Sequence, residues 1–337
     1  MTVTVTLPHT SYDIIIERGA LKKVASHLPL DRRVLIVTDD GVPSHYAASV
    51  EASSRYPTVV TLPQGEDTKS LENFGYLLTV MLEHGFTRGD CVVAVGGGVI
   101  GDLSGFVAAS YMRGIDFYNI PTTLLSEVDS SIGGKTAINL GGIKNPVGAF
   151  YQPKRVLIDP DVLKTLPSRQ ISSGLAECIK MALTSDRELF EFLEDCPDPL
   201  NALDEIIYRS LLIKKAVVEE DEKESGLRKV LNFGHTLGHA IESEYHTHSL
   251  FHGECVALGM LPMVSDTIRQ RLLALYRKLS LPTSVSFDRN AAAIALKHDK
   301  KSGKDSVTAV LVDTVGQFRF EKLSTDTLIR KLDYFTQ

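Results

Sequence analysis

Residues 226–244 read GLRKVLNFGHTLGHAIESE. Within them, Arg228, Asn232, His235 and His239 follow one another at steps of four, three and four. On a helix of 3.6 residues per turn these steps predict a single polar stripe. Leu231, Leu237 and Ile241 fall elsewhere on the cylinder. A guanidinium, an amide and two imidazoles on one face could bind an anion, hold a metal or move a proton. Gly234 and Gly238 lie in the same stretch, and each costs about 1 kcal/mol relative to Ala in a helix interior. That cost is tolerable where something must approach the backbone closely. A solvated polar face with two incidental histidines is the plain alternative.

Other residues could join this chemistry. In SSGLAECIKMAL, Glu177 and Lys180 stand three apart on one helical face, where a surface ion pair would explain them equally well. His252 opens a further helical stretch in SLFHGECVALGM. Two histidines and one carboxylate would leave an open position on a zinc ion, the pattern of a catalytic site. His235, His252 and Glu177 are not local in sequence, so spacing alone leaves the metal open. His246 and His248 read as exposed loop histidines. The stretch PTTLLSEVDSSIGGKTAINLGGIKN (121–145) reads as a loop rich in hydroxyls and glycine, carrying Asp129, Lys135, Lys144 and Asn145. Its lysines suit phosphate or carboxylate as point charges, although either alone could be a solvated loop lysine. Gly96, Gly98 and Gly101 match G-x-G-x-x-G after the strand-like VVAV, a pattern that lets a pyrophosphate approach a helix N-terminus. The loop is not in the first strand–helix unit, and no acidic residue stands clearly about 20 residues on. Asp39 or Asp40, closing VLIVTDD, is the better candidate for a ribose.

These residues need elements to position them. The first half alternates strands at 33–41, 58–66, 90–96 and 116–125 with a helix at 71–85 and another after the glycine loop, which predicts a parallel sheet. The N-terminal residues alternate as a strand does. Beyond about residue 160, the segments 168–195, 202–222, 228–245, 253–278 and 289–298 read as helices, followed by a hairpin at 307–320. The 337 residues therefore predict two domains, 1–160 and 161–337. Net charge is −6, which argues against a nucleic-acid or acidic-membrane partner. No run approaches the roughly 18 apolar residues of a membrane span, and no signal-peptide core precedes residue 20. Cys91, Cys178, Cys196 and Cys255 lack paired spacing and read as reduced thiols of a cytoplasmic protein.

The blocks GGGVIGDLSGF, YMRG, PTTLLSEVDSSIGGKT, KN, GAFYQP, LIDPDVLKTLP, GLAECIK, GLRKVLNFGHTLGHAIE and HGE together resemble the 3-dehydroquinate synthase family of the sugar phosphate cyclases. The similarity runs from about residue 33 to about residue 320. It implies an α/β fold: a Rossmann-like parallel-sheet NAD-binding domain, then a mainly α-helical metal- and substrate-binding domain. It implies NAD and a divalent metal, zinc foremost and cobalt as an option. The substrate it implies is 3-deoxy-D-arabino-heptulosonate 7-phosphate, a phosphorylated sugar acid. In the family a ring hydroxyl is oxidised, phosphate leaves by β-elimination, the ketone is reduced again, the ring opens and an intramolecular aldol closes a carbocycle.

Residue by residue, the resemblance matches Glu177, His235 and His252 to metal ligands and His239 to a proton relay. It matches Arg228 and Asn232 to substrate anchors, the planar fork of Arg228 suiting a carboxylate. Asp129, Lys135, Lys144, Asn145, Lys180 and Lys214 match the substrate pocket, with Lys135 and Lys144 also near the cofactor. Arg113 matches an arginine that reaches the partner subunit's substrate, which implies a homodimer. Lys300 or Lys301 is expected at the phosphate. Asp39, Glu66, Lys69, Gly97, Gly98, Asp102, Thr122 and Thr123 match NAD contacts, accompanied by Thr165 and Leu166. On this reading Gly234 and Gly238 let metal and substrate come close.

Ala137, Ile143, Pro146 and Gln170 depart from the common family pattern, and none is a matched ligand. A sibling cyclase, 2-epi-5-epi-valiolone or 2-deoxy-scyllo-inosose synthase, would act on a substrate without the carboxylate, whereas Arg228 and Asn232 are both present. A related metal-dependent polyol dehydrogenase would not need the lysine-rich phosphate pocket. A non-catalytic NAD-binding regulator would be expected to have lost one of Glu177, Lys180, His235 or His252.

Overall fold

The computed structural model describes residues 1–243, 250–298 and 306–335. The chain divides into two compact units, Met1–Leu166 and Pro167–Gln337. Residues 161–166, assigned by sequence to the second domain, lie in the first unit.

The first unit is built on nine strands: β1 Thr2–Leu7, β2 Thr10–Ile16, β3 Arg33–Asp39, β4 Tyr56–Leu62, β5 Cys91–Gly96, β6 Asp116–Pro121, β7 Lys135–Leu140, β8 Ile143–Phe150 and β9 Arg155–Ile158. Seven form one sheet in the order β1-β2-β9-β6-β5-β3-β4. The β1–β2 hairpin is antiparallel, and its alternation buries Val3, Val5 and Leu7. Every other pairing in that sheet is parallel. Strand β5 is buried at every position, as befits a central parallel strand, and its apolar run CVVAV supplies no polar side. Leu35, Val37, Val92 and Ala94 pack with Leu77, Met81, Ile100, Leu103 and Val107 of the two flanking helices.

This order creates a switch point. The chain leaves β3 toward β4 and returns to pair β5 on the other side of β3. Loops after β3 and β5 therefore diverge, which in open parallel sheets makes the ligand crevice. Two readings of this half need correction. The strand read over 116–125 stops at Pro121, and Leu124 and Leu125 already turn helically into a π-type turn at Ser126–Ser130. The expected loop over 121–145 continues as the antiparallel β7–β8 hairpin, joined at Gly141 and Gly142.

The second unit carries the helices Ser168–Ser185, Arg187–Asp195, Leu203–Glu220, His235–Glu242, His252–Met260, Asp266–Lys278, Arg289–His298 and Thr325–Leu332, with an antiparallel pair β10 Ser306–Thr314 and β11 Gln317–Ser324. Three helices expected to be continuous are broken. The 168–195 segment restarts at Asp186, whose side chain accepts from Leu189 N and caps the second helix. The 253–278 segment tightens into a short turn around Pro262 before resuming at Asp266. The 228–245 segment is a 3-10 turn, Leu227–Asn232, then a helix from His235. Between them Gly234 adopts φ 77°, a left-handed conformation that ends the first helix. Among the described residues no helix is long and apolar enough to cross a membrane.

Candidate active site and metal centre

The second unit gathers a carboxylate and three imidazoles. Glu177 sits mid-way along Ser168–Ser185 with its side chain fully buried. One turn on, Lys180 is also almost wholly buried and its ammonium contacts the Glu177 carboxylate. Glu177 Oε1 lies 3.7 Å from His235 Nε2 and 3.7 Å from His252 Nε2. Two ligands each about 2.0–2.1 Å from a tetrahedral ion stand roughly 3.4 Å apart, so these three side chains are spaced to close on one. The Lys180 ammonium is paired to Oε2, and Oε1 is the oxygen that faces the two imidazoles. A buried carboxylate so placed fits a cation, and the donor set of two imidazoles and one carboxylate fits zinc or cobalt.

His239 joins the cluster. Its ring centroid is 5.2 Å from that of His235 and 5.5 Å from that of His252, and all three imidazoles offer ligand atoms within 4.8 Å of one another. His239 is the exposed member. Burial, then the positive charge of Lys180, pushes His235 well below the usual histidine range. Its Nδ1 lies 3.1 Å from the Phe233 carbonyl. Burial alone would also lower His252, but its contact with Glu242, Nδ1 to Oε2 at 3.2 Å, and the charges of Glu242 and Glu177 raise it instead.

The glycines do something other than expected. A Cβ on Gly234 would stand 2.6 Å from Met260 Cγ and 2.7 Å from Val256 O, and one on Gly238 would stand 2.8 Å from Cys255 O. Both glycines therefore face the His252–Met260 helix, not a ligand space. They let the two helices approach until His252 reaches His235.

The expected single stripe is likewise replaced by two groups. Arg228 and Asn232 belong to the 3-10 turn before the break, and the two histidines to the helix after it. Arg228 is buried and donates from Nη1 to the Glu222 carbonyl. Asn232 is exposed and donates to Glu224 Oε1. Asp221 holds this turn: its carboxylate accepts from the backbone N–H of Ser225, Gly226 and Arg228. Burial would raise the Asp221 carboxyl, but those donors overcome it and hold it at about 2. Lys214, on Leu203–Glu220, is buried.

In the first unit, several of the residues matched to the cofactor lie at or just after the ends of β3, β5 and β6. Asp39 ends β3 and accepts from Gly41 N, and burial raises its carboxyl. Asp40 is exposed and accepts from Gln64 N. Gly97 caps the Gly98–Ser110 helix directly after β5. A Cβ on Gly97 would stand 3.2 Å from Thr123 Cγ2, and one on Gly98 2.9 Å from Ser130 Oγ. Thr122 N donates to Gly96 O. Alongside runs one polar network. Lys69 Nζ donates to Asp102 Oδ2 at 2.6 Å and to Asn145 Oδ1 at 2.5 Å, and lies 3.8 Å from Glu66 Oε1. Asn139 Nδ2 donates to the same Glu66 oxygen, and Asn145 N donates to Asn139 Oδ1. Asn145 is held at φ 57° to do so.

Asp129 lies in the π-type turn, and Lys135 and Lys144 are exposed on the β7–β8 hairpin. Thr165 Oγ1 is 2.9 Å from Tyr46 Oη, and Leu166 follows it at the end of this unit. Arg113 is exposed with φ 67°, next to Met112 at φ 49°. Lys300 and Lys301, like His246 and His248, lie outside the described residues. Sequence reasoning passed over Glu242, Asp221, Glu224 and Asn139. Only Glu242 had a signal, standing seven after His235 and three after His239, on their helical face.

Residues 59–173 match the family model of the 3-dehydroquinate synthase N-terminal region, and residues 174–302 that of its C-terminal region. A 3-dehydroquinate synthase of Enterococcus faecalis (strain ATCC 47077 / OG1RF) is 42% identical, over 97% of this chain and 97% of its own. Among solved structures, a 2-deoxy-scyllo-inosose synthase complexed with carbaglucose-6-phosphate, NAD+ and Co2+ superposes with TM-score 0.90 at 26% identity, covering all of both chains. A 2-epi-5-epi-valiolone synthase from Streptomyces hygroscopicus subsp. jinggangensis 5008, with NAD+ and Zn2+ bound, gives 0.88 at 27% identity over 98% of each chain. At 42% identity over nearly its whole length, and with both halves matched, the chain belongs to the 3-dehydroquinate synthase family.

Proposed function

We propose that this chain converts 3-deoxy-D-arabino-heptulosonate 7-phosphate into 3-dehydroquinate and phosphate, the second step of the shikimate pathway, with NAD and a divalent metal, zinc foremost. The observation that carries this reading is the buried Glu177 carboxylate set 3.7 Å from both His235 and His252 in a chain of this family. When bound, NAD supplies reversible hydride acceptance, and the metal supplies Lewis acidity at the hydroxyl being oxidised.

The remaining work falls to the chain's own residues. Glu177, His235 and His252 would hold the metal. Burial and the Lys180 charge keep His235 neutral, the state a ligand requires. His239, exposed beside them, is assigned to exchange the hydroxyl proton. Arg228, Asn232, Lys180 and Lys214 are assigned to the substrate, the planar guanidinium of Arg228 suiting its carboxylate. The first unit is assigned the cofactor through Asp39, Glu66, Lys69, Gly97, Gly98, Asp102, Thr122 and Thr123, with Thr165 and Leu166 accompanying. Asp129, Lys135, Lys144 and Asn145 are assigned to substrate as well, with Lys135 and Lys144 also near the cofactor. One of Lys300 and Lys301 is assigned to the phosphate. Arg113 sits in a backbone conformation rare for a non-glycine residue, of the kind found at functional sites. We assign it to the partner subunit's substrate in a homodimer. The four free thiols, three of them buried, fit a reducing compartment, and the cytoplasm is the proposed location.

The sibling cyclases share the fold at 26–27% identity, well below the 42% found with a 3-dehydroquinate synthase. Offering the heptulosonate phosphate, sedoheptulose 7-phosphate and glucose 6-phosphate to the same preparation separates these readings. Turnover of the first alone supports the proposal, and turnover of either other sugar alone overturns it.

A further inference from the structure

We propose that Glu242 is a positioning residue that fixes the ring orientation and tautomer of His252 for metal binding. The inference rests on the metal reading above and deepens it.

An imidazole can present one neutral nitrogen to a metal only if its proton sits on the other. His252 faces Glu177 with Nε2, at 3.7 Å, and Glu242 with Nδ1, at 3.2 Å to Oε2. A carboxylate on Nδ1 accepts its proton in a hydrogen bond and leaves the Nε2 lone pair directed at the cluster. His235 is arranged in the same sense by a different acceptor. Its Nδ1 lies 3.1 Å from the Phe233 carbonyl, and its Nε2 faces Glu177. Both histidines thus aim Nε2 at one carboxylate oxygen, each with an acceptor behind it. Carboxylate or carbonyl partners of this kind orient metal ligands and raise their basicity.

The placement follows from the fold. Glu242 is the last residue of the His235–Glu242 helix, one helical turn beyond His239 and two beyond His235. His252 is the first residue of the next helix. With its side chain about a third exposed, packing alone does not lock the His252 ring. Glu242, at 19% exposure, supplies the missing restraint.

The test uses full-length, metal-depleted protein titrated with Zn2+ against a chromophoric chelator. Glu242→Ala should weaken Zn2+ binding by about 10–100-fold, with the melting temperature of the metal-free form little changed. Glu242→Gln should stay within a few-fold of wild type, because its amide oxygen accepts the same bond. Wild-type affinity in Glu242→Ala, beside loss of binding in His252→Ala, would overturn this inference and leave the metal reading standing. Equal Zn2+ binding by wild type and His252→Ala would instead overturn the metal reading. Should Glu242→Ala not fold, 15N spectra of the Cd2+-loaded wild type give a second readout. Coupling of cadmium to His252 Nε2 is expected, and coupling to Nδ1 would contradict the assignment.

Discussion

Gly234 and Val256 stand so close that a Cβ on the glycine would lie 2.7 Å from the Val256 carbonyl oxygen. This approach brings the His252 helix against the His235 helix. Gly234 also holds φ 77°, which costs a residue with a Cβ roughly 1–2 kcal/mol before any clash. Gly234→Ala should therefore destabilise the second unit by more than about 2 kcal/mol, seen as a lower urea midpoint. It should also weaken Zn2+ binding, because the same displacement separates the two imidazoles. Full Zn2+ affinity in a destabilised variant would show that the helix approach does not set the cluster.

His235→Ala removes one of the three side chains that close on a shared point. Bound zinc, measured by elemental analysis after desalting, should fall to background, and turnover should fall with it. Normal metal content in that variant would place the metal elsewhere.

In the first unit Lys69 is almost fully buried and donates to both Asp102 and Asn145. Lys69→Met strands a carboxylate that had been paired, a change that typically costs about 3–5 kcal/mol when the pair is buried. Asp102 is 21% exposed, so the lower end is expected. NAD affinity, followed by calorimetry, should drop together with stability. Unchanged NAD binding would remove this network from the cofactor site.

Asp221 predicts a pH dependence. Its folded value of about 2 lies below the roughly 3.9 of an unperturbed aspartate. A depressed carboxyl stabilises the fold above the unfolded value, and that contribution is lost as pH falls through the folded one. The stability advantage of wild type over Asp221→Asn should therefore be full above about pH 4 and shrink toward pH 2. The substitution should also raise KM more than it lowers kcat, because the carboxylate holds the backbone that presents Arg228. A pH-independent difference between the two proteins would contradict the assigned hydrogen bonds.

Much of this was legible in the residues. The strand runs RVLIVTD and CVVAV, the Gly stop after Leu71–Glu83 and the terminal hairpin all follow from period and turn chemistry. The breaks inside the helical half were not. Arg228 to His239 has flawless helical spacing, yet Gly234 turns left-handed and a neighbouring helix occupies the place of a Cβ. Periodicity counts residues along one element and carries no information about the next one. Asp221 and Asn139 escaped notice because their partners are backbone N–H groups and the Glu66 carboxylate, which side-chain periodicity does not reveal. The set of Glu177, His235 and His252 was recognisable from resemblance, but only the fold brings one carboxylate oxygen within 3.7 Å of both rings.

The central claim is a redox cycle that closes on itself. Phosphate release from 3-deoxy-D-arabino-heptulosonate 7-phosphate, with Zn2+ and catalytic NAD and with absorbance at 340 nm followed in parallel, tests it most directly. One phosphate per substrate with no net NADH is the predicted result. NADH accumulating in step with substrate consumed, without phosphate, would contradict it and make the chain a dehydrogenase.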